Sequence, residues 1–261
     1  MRRRDFLTVS AAAGLASNAA ATPSPMAQQF FDLNFYRLRN SQAGQSRRLA
    51  EFFEKQHLPM CRRHEIGPAG YFQVDVGPDM PTVISVTAYD SWAGLGAKQA
   101  AQQADQTWTK ALEQFGSAAE PAYDRMESWL LKAFEGAPKL ESPEVKAGQA
   151  PRLFDLRTYE SETERDAAEK IRMFNEGEIE IFRNCGIHPV FFGQTVYGAR
   201  MPNLTYLVWY DDWTARDTAW SKFRDDPAWK KLSSRPGWSN ADIVSSITHR
   251  FLRPLPFSPI R

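Results

Sequence analysis

Cysteine is nearly absent: the 261 residues hold two, Cys61 and Cys185, and no Cys-x-x-Cys occurs. A disulfide framework and a thiolate metal knot are thereby excluded, and both thiols read as unpaired. Histidine is scarce too. His57, His64, His188 and His249 are the four, and none stands in the His-x-x-x-His spacing that places two imidazoles on one helix face for a metal. An excess of one charge is also missing, with 32 Lys and Arg against 31 Asp and Glu. That balance gives no electrostatic footprint for nucleic acid or an anionic membrane. No apolar run reaches the roughly 20 residues of a membrane span. A glycine-rich phosphate loop, a Ser-His-Asp arrangement and a nucleophile elbow are all lacking. Aromatic residues are plentiful, with eight Trp and 17 Phe, so a core is well supplied.

The N-terminus reads as an address. Arg2-Arg3-Arg4-Asp5-Phe6-Leu7 and an Ala-rich stretch to Ala21 resemble a twin-arginine export signal, which predicts a periplasmic protein cleaved near residue 21. A Sec-type signal is the alternative. Without Arg2, Arg3, Arg4 and Asp5 the chain keeps 29 basic and 30 acidic side chains, so the charge balance survives.

What the chain does contain is itself, twice. Phe31-Asp32-Leu33 returns as Phe154-Asp155-Leu156, Met80-Pro81 as Met201-Pro202, Tyr89-Asp90 as Tyr210-Asp211, and Trp108 as Trp229. From Arg62 and Arg183 onward the matched residues stay 121 apart without a gap. A period this long marks a duplicated domain; solenoid repeats run to about 20–50 residues. The boundaries read as a signal and arm at 1–28, a first repeat at 29–135, a linker rich in proline, glycine and charge at 136–151, a second repeat at 152–254 and a proline-rich tail at 255–261.

Within each repeat the hydrophobic period alternates between two and about 3.6. Gln29–Leu38, Tyr71–Val76, Thr82–Tyr89 and Arg125–Phe134 read as strands, and 43–63 and 92–115 as helices, with Pro59 expected to kink or end the first. The second repeat predicts strands at 152–159, 189–197, 204–210 and 243–252, and helices at 164–184 and 213–233. Asp90-Ser91 and Asp212 stand where N-caps belong, and Asp105 and Asp226 read as helix surface or local caps. This β-α-β-β-α-β order is the split βαβ, or ferredoxin-like, plan. Such a sheet has one uncovered face, which a duplicated chain hides by setting its two sheets together as one pseudo-twofold α+β barrel.

The candidate chemistry lies on the first strand of each repeat. Asp155, Arg157 and Tyr159 share a face, and Asp32, Asn34 and Tyr36 hold the same three positions in the first repeat. With the apolar face against the helices, these six would point into the barrel. A ligand pocket is one reading, with Arg157 meeting a carboxylate or carbonyl while Asp155 and Tyr159 orient it. A buried salt-bridge network that sets register between the repeats is the other. Trp92/Trp213 and Trp108/Trp229 recur at equivalent helical positions and read as core packing.

The run from Arg152-Leu-Phe-Asp-Leu-Arg-Thr-Tyr159 through Pro189-Val-Phe-Phe-Gly193, Pro202-Asn-Leu-Thr-Tyr206, Arg216-Asp217, Trp220 and Asp226-Pro-Ala-Trp229 resembles the NIPSNAP family. The first half looks like a degenerate copy. The resemblance implies the duplicated ferredoxin-like layout of the dimeric α/β-barrel superfamily and brings no settled catalytic residues. Some barrels of that superfamily hold haem through a histidine, and His188, at the mouth of a strand, is the candidate for such a role. Three functions are thus expected in turn: a small-molecule binding protein, a non-catalytic interaction protein with a filled barrel that forms a homo-oligomer, and a haem-dependent enzyme.

Overall fold

The computed structural model describes residues 27–40, 44–146 and 148–261. The export signal and its cleavage point lie outside the described residues. The first repeat contains strands β1 (Phe30–Arg37), β2 (Ala69–Val76), β3 (Thr82–Tyr89) and β4 (Arg125–Ala133). Its helices are α1 (Gln45–Phe52), α2 (Leu58–Arg63), α3 (Trp92–Ala104) and α4 (Gln106–Gly116). The second contains β5 (Leu153–Glu160), β6 (His188–Tyr197), β7 (Asn203–Tyr210) and β8 (Ser246–Pro254). Its helices are α5 (Glu164–Met173), α6 (Ile179–Cys185), α7 (Trp213–Asp225), α8 (Pro227–Ser233) and the short α9 (Asn240–Ile243).

The strands close one antiparallel barrel in the order β1-β3-β2-β8-β5-β7-β6-β4. Joining β2 to β8 and β4 to β6 removes the free edges that each four-stranded sheet would present alone. Equivalent strands such as β1 and β5 lie half a circuit apart and run the same way, so the pseudo-twofold axis follows the barrel axis.

The interior is a packed core. Phe31, Leu33 and Phe35 of β1 meet Phe154 and Leu156 of β5, Phe191 of β6 and Leu252 of β8. Phe31 lies 4.9 Å from Phe191 and Phe72 5.0 Å from Phe154, ring centre to ring centre, so both repeats fill one space. The interior of this eight-stranded barrel is thus occupied by side chains. The expected facing is therefore reversed. The apolar residues of β1 and β5 turn inward, and Asp32, Asn34, Tyr36, Asp155, Arg157 and Tyr159 turn outward beneath the helices.

Three helical expectations also change. The first long helix of each repeat is interrupted by a π-helical turn, Phe53–His57 and Phe174–Glu178. Pro59 is not its cause, because the equivalent residue in the second repeat is Glu180 and the turn recurs there. Pro59 instead sits in the first turn of α2, where its missing N–H costs nothing. The second long helix of each repeat breaks at Asp105 and Asp226, whose carboxylates accept from the amides of Trp108 and Trp229 and so begin α4 and α8. The closing strand starts at Ser246, since 240–243 forms α9. Trp108 and Trp229 pack at the core margins, whereas Trp92 and Trp213 are about half exposed at the starts of α3 and α7.

Candidate functional site

β5 carries alternate residues to the outer face of the sheet, and there Asp155, Arg157 and Tyr159 meet Tyr206 and Tyr210 of β7, His249 of β8 and helix α7. On α7, Arg216, Trp220 and Arg224 follow one another at four-residue steps and so share a face. Arg157, Arg216, Asp217, Trp220, Arg224 and His249 line a cavity of about 320 Å³. That volume suits a small metabolite.

Asp155 is fully buried and organises the floor. One carboxylate oxygen accepts from Arg157 Nη1 at 3.3 Å, and the other faces His249 Nδ1 at 3.2 Å. Arg157 Nη1 also lies 3.1 Å from His249 Nδ1. Nδ1 therefore faces an acceptor and a donor at once: with a proton it donates to Asp155, and without one it accepts from Arg157 Nη1. In the first of these tautomers Nε2 is the basic nitrogen.

Arg157 is spread flat between its neighbours. Nη2 donates to Tyr159 Oη at 2.9 Å, and Tyr206 Oη donates to the same oxygen at 2.9 Å. The guanidinium lies 4.4 Å from the Trp220 ring centre, a cation–π contact. Burial pushes the Tyr206 and Tyr210 phenols well above their ordinary range, so both stay neutral. Four buried polar atoms here have no hydrogen-bond partner among the described residues: Nε of Arg157, Nε of Arg216, Nε1 of Trp220 and Oη of Tyr210. Two of them, Tyr210 Oη and Trp220 Nε1, face each other, and all four are shielded from the cavity as well as from solvent.

The charge of the wall has a sign. Arg157 is balanced by Asp155, and Arg216 Nη1 by Asp217 at 2.7 Å. Arg224 has no ion-pair partner among the described residues, which leaves one cation in surplus.

The first repeat holds a reduced version of the same place. Asp32 occupies the position of Asp155, but its oxygens accept from the neutral Asn34 Nδ2 at 3.1 Å and Ser128 Oγ at 3.0 Å. Burial raises its carboxyl above the usual value. Asn34 stands for Arg157, Ser128 for His249, Leu95 for Arg216, Gln99 for Trp220 and Gln103 for Arg224. Every pocket cation and the imidazole are missing there. The six predicted residues thus fall into two groups on opposite sides of the barrel, and no pair joins Asp32 to Arg157.

His188, the candidate for a cofactor role, lies apart from this pocket. It is exposed and stacks on Trp209 with ring centres 4.3 Å apart. Among the described residues no group of three His, Cys, Asp or Glu could hold a metal ion. A larger cavity, about 770 Å³, lies between the linker and the C-terminal segment. Of its cations, Arg152 donates to the carbonyls of Glu144 and Arg261, Arg253 to Asp75 and Arg261 to the carbonyl of Pro256, while Lys146 lies beside Glu144. No described helix is long and apolar enough to cross a membrane.

A closed barrel of two ferredoxin-like repeats, with a polar pocket outside one sheet, defines the chain as a dimeric α/β-barrel protein fused into one polypeptide. The NIPSNAP sequence profile matches residues 31–138 and again 154–259, so the chain belongs to the NIPSNAP family. Among solved structures it is similar to a "putative monooxygenase" from Lactobacillus acidophilus, at 10% identity and a TM-score of 0.56, over 87% of this chain and 94% of that one. An anthrone oxidase-like protein matches at 11% identity and a TM-score of 0.50, over 87% and 92%. A NIPSNAP-like domain protein from Burkholderia xenovorans is 19% identical over 41% of this chain and 89% of its own, with a TM-score of 0.37. No curated protein sequence matches the chain.

Proposed function

We propose that the chain binds a small organic anion in the outer pocket of its second repeat. The convergence of Arg157, Arg216 and Arg224 on one cavity, with Arg224 free of any ion-pair partner among the described residues, carries this reading. Arginine is suited to planar carboxylates, and the Trp220 indole on the same wall favours a ligand with a flat apolar body. The names of the monooxygenase-like and anthrone oxidase-like neighbours agree with a small-molecule role at this fold. A calorimetric titration with benzoate, phenylacetate and phenylpyruvate tests it. At least one should bind at one site per chain. Replacing both Arg216 and Arg224 with alanine should weaken it about tenfold or more, the worth of a charge-assisted hydrogen bond. Equal affinity in that variant, or no saturable heat with any of the three acids, would contradict the reading.

A second reading rests on the filled interior and on one end of the barrel. Val76 and Tyr197, Met80 and Met201, and Met126 and Ile247 are three repeat-equivalent pairs, all exposed. All six belong to the strand ends and hairpins of that end. They would serve an interaction protein, as the contact through which it forms a homo-oligomer. Sedimentation of the wild type against the Met80→Ser/Met201→Ser variant decides it: an oligomer that the variant dissociates supports this reading, and a monomer in both removes it.

A further inference from the structure

We infer that the second-repeat pocket is catalytic, with His249 as a general base that takes a proton from the carbon next to the carbonyl of a bound keto acid. This rests on the anion-binding reading above. The Asp155 contact fixes the Nδ1 edge of the ring inward, yet about a third of the His249 side chain is exposed. The accessible edge is therefore the one bearing Nε2, and His249 lines the cavity. A carboxylate behind an imidazole also stabilises the imidazolium that forms when Nε2 gains a proton. No other group on the wall is suited to be the base. Asp217 is bound to Arg216, and the arginines hold their protons.

The step is balanced without an oxidant. A C–H bond of the substrate breaks, and its proton passes to Nε2. The bonding pair becomes the carbon–carbon double bond of an enolate, and the carbonyl π pair moves onto oxygen. The Arg224 guanidinium, which has no ion-pair partner among the described residues, lies on the same wall to receive that oxyanion. Return of a proton from Nε2 to carbon restores the keto acid. The reaction class is therefore enolisation, or a proton shift between adjacent carbons. The first repeat is inert by the same reasoning, because Ser128 stands where His249 would be.

The test uses phenylpyruvate in deuterated buffer, with deuterium entry at the benzylic carbon followed by proton NMR and binding measured separately by calorimetry. Wild-type protein should exchange the benzylic protons on the order of 100-fold faster than an equal concentration of imidazole. His249→Gln should bind phenylpyruvate with affinity within a few fold of wild type yet fall to the background rate. Asp155→Asn, which removes the carboxylate behind Nδ1, should lower the exchange rate while the fold persists by circular dichroism. If wild type binds phenylpyruvate without accelerating exchange, or if His249→Gln exchanges as fast as wild type, the catalytic inference fails and the binding reading stands. If none of the three acids binds, the binding reading itself has failed and the catalytic inference falls with it.

Discussion

Asp155 shows what a buried charge demands of its surroundings. It has no exposure to water, and its two oxygens are met by Arg157 and by His249. Arg157→Ala should therefore cost about 3–5 kcal/mol in urea unfolding, mostly from leaving Asp155 uncompensated. Asp155→Asn/Arg157→Met should recover much of that loss, and failure to do so would place the destabilisation in the lost Trp220 and Tyr159 packing. His57 makes a second residue-scale case. Its Nδ1 lies 2.6 Å from Tyr71 Oη, and burial lowers its pKa from 6.5 to about 4. The unfolded chain takes up a proton near pH 6.5, whereas the folded chain takes it up only near 4. Stability on this account is full at pH 7, falls as the pH drops through that window, and levels off below it. Between pH 7 and pH 5 the loss should be at most roughly 2 kcal/mol. His57→Gln should flatten the urea midpoint over that range, and an unchanged slope would remove His57 as the source. Cys61, 3.7 Å from the same imidazole, is no reactive thiol, since burial pushes its pKa up to about 12.

The π-helical turns show a device repeated across two elements that differ in sequence. Phe53–His57 and Phe174–Glu178 occupy the same place in each repeat, and each ends on a polar residue turned toward the core side. In the first this is His57. In the second it is Glu178, which accepts from the equally buried Lys170 at 2.8 Å. Burial still raises the Glu178 carboxyl above the usual carboxylate range. Lys170→Met should lower stability by about 3–5 kcal/mol in urea unfolding, and Lys170→Met/Glu178→Gln by less. Equal losses in both would show that the pair is not the reason. At this scale much could be read beforehand. Alternation located all eight strands within a few residues. The Asp212 cap was readable from its position, and the Asp105 and Asp226 caps as one of two readings. The side toward which each strand turns could not be read. Both faces of β1 and β5 are covered here, the inner by the opposite repeat and the outer by helices, so period two fixes alternation without direction. His249, Arg216, Trp220 and Arg224 were not gathered into a site either, because β8 and α7 meet β5 only in the fold. A signal was present in the repeat itself: at the 121-residue offset these positions hold Ser128, Leu95, Gln99 and Gln103. Reading where two copies diverge in charge would have marked the pocket.

For the whole molecule, the shared interior sets the cooperativity. Phe31, Phe72, Phe154 and Phe191 from the two repeats pack on one another, and neither sheet can hide its inner face alone. The protein should unfold in one transition, with tryptophan fluorescence and far-ultraviolet circular dichroism coincident in urea. Phe154→Ala should shift that single transition by about 3–5 kcal/mol without splitting it. Two separated transitions would show that the repeats fold independently. The same packing fills the barrel, and the proposed ligand site lies outside the sheet, where the second repeat carries the charged side chains and the first their neutral counterparts. The most direct test is a crystal structure of the protein grown with whichever of benzoate, phenylacetate and phenylpyruvate binds most tightly. The account predicts density for one acid per chain, its carboxylate or keto oxygen against the guanidinium groups of Arg216 and Arg224 and its ring beside Trp220. Density inside the barrel, in the linker cavity or under α3 of the first repeat, with the second-repeat pocket unoccupied, would contradict it.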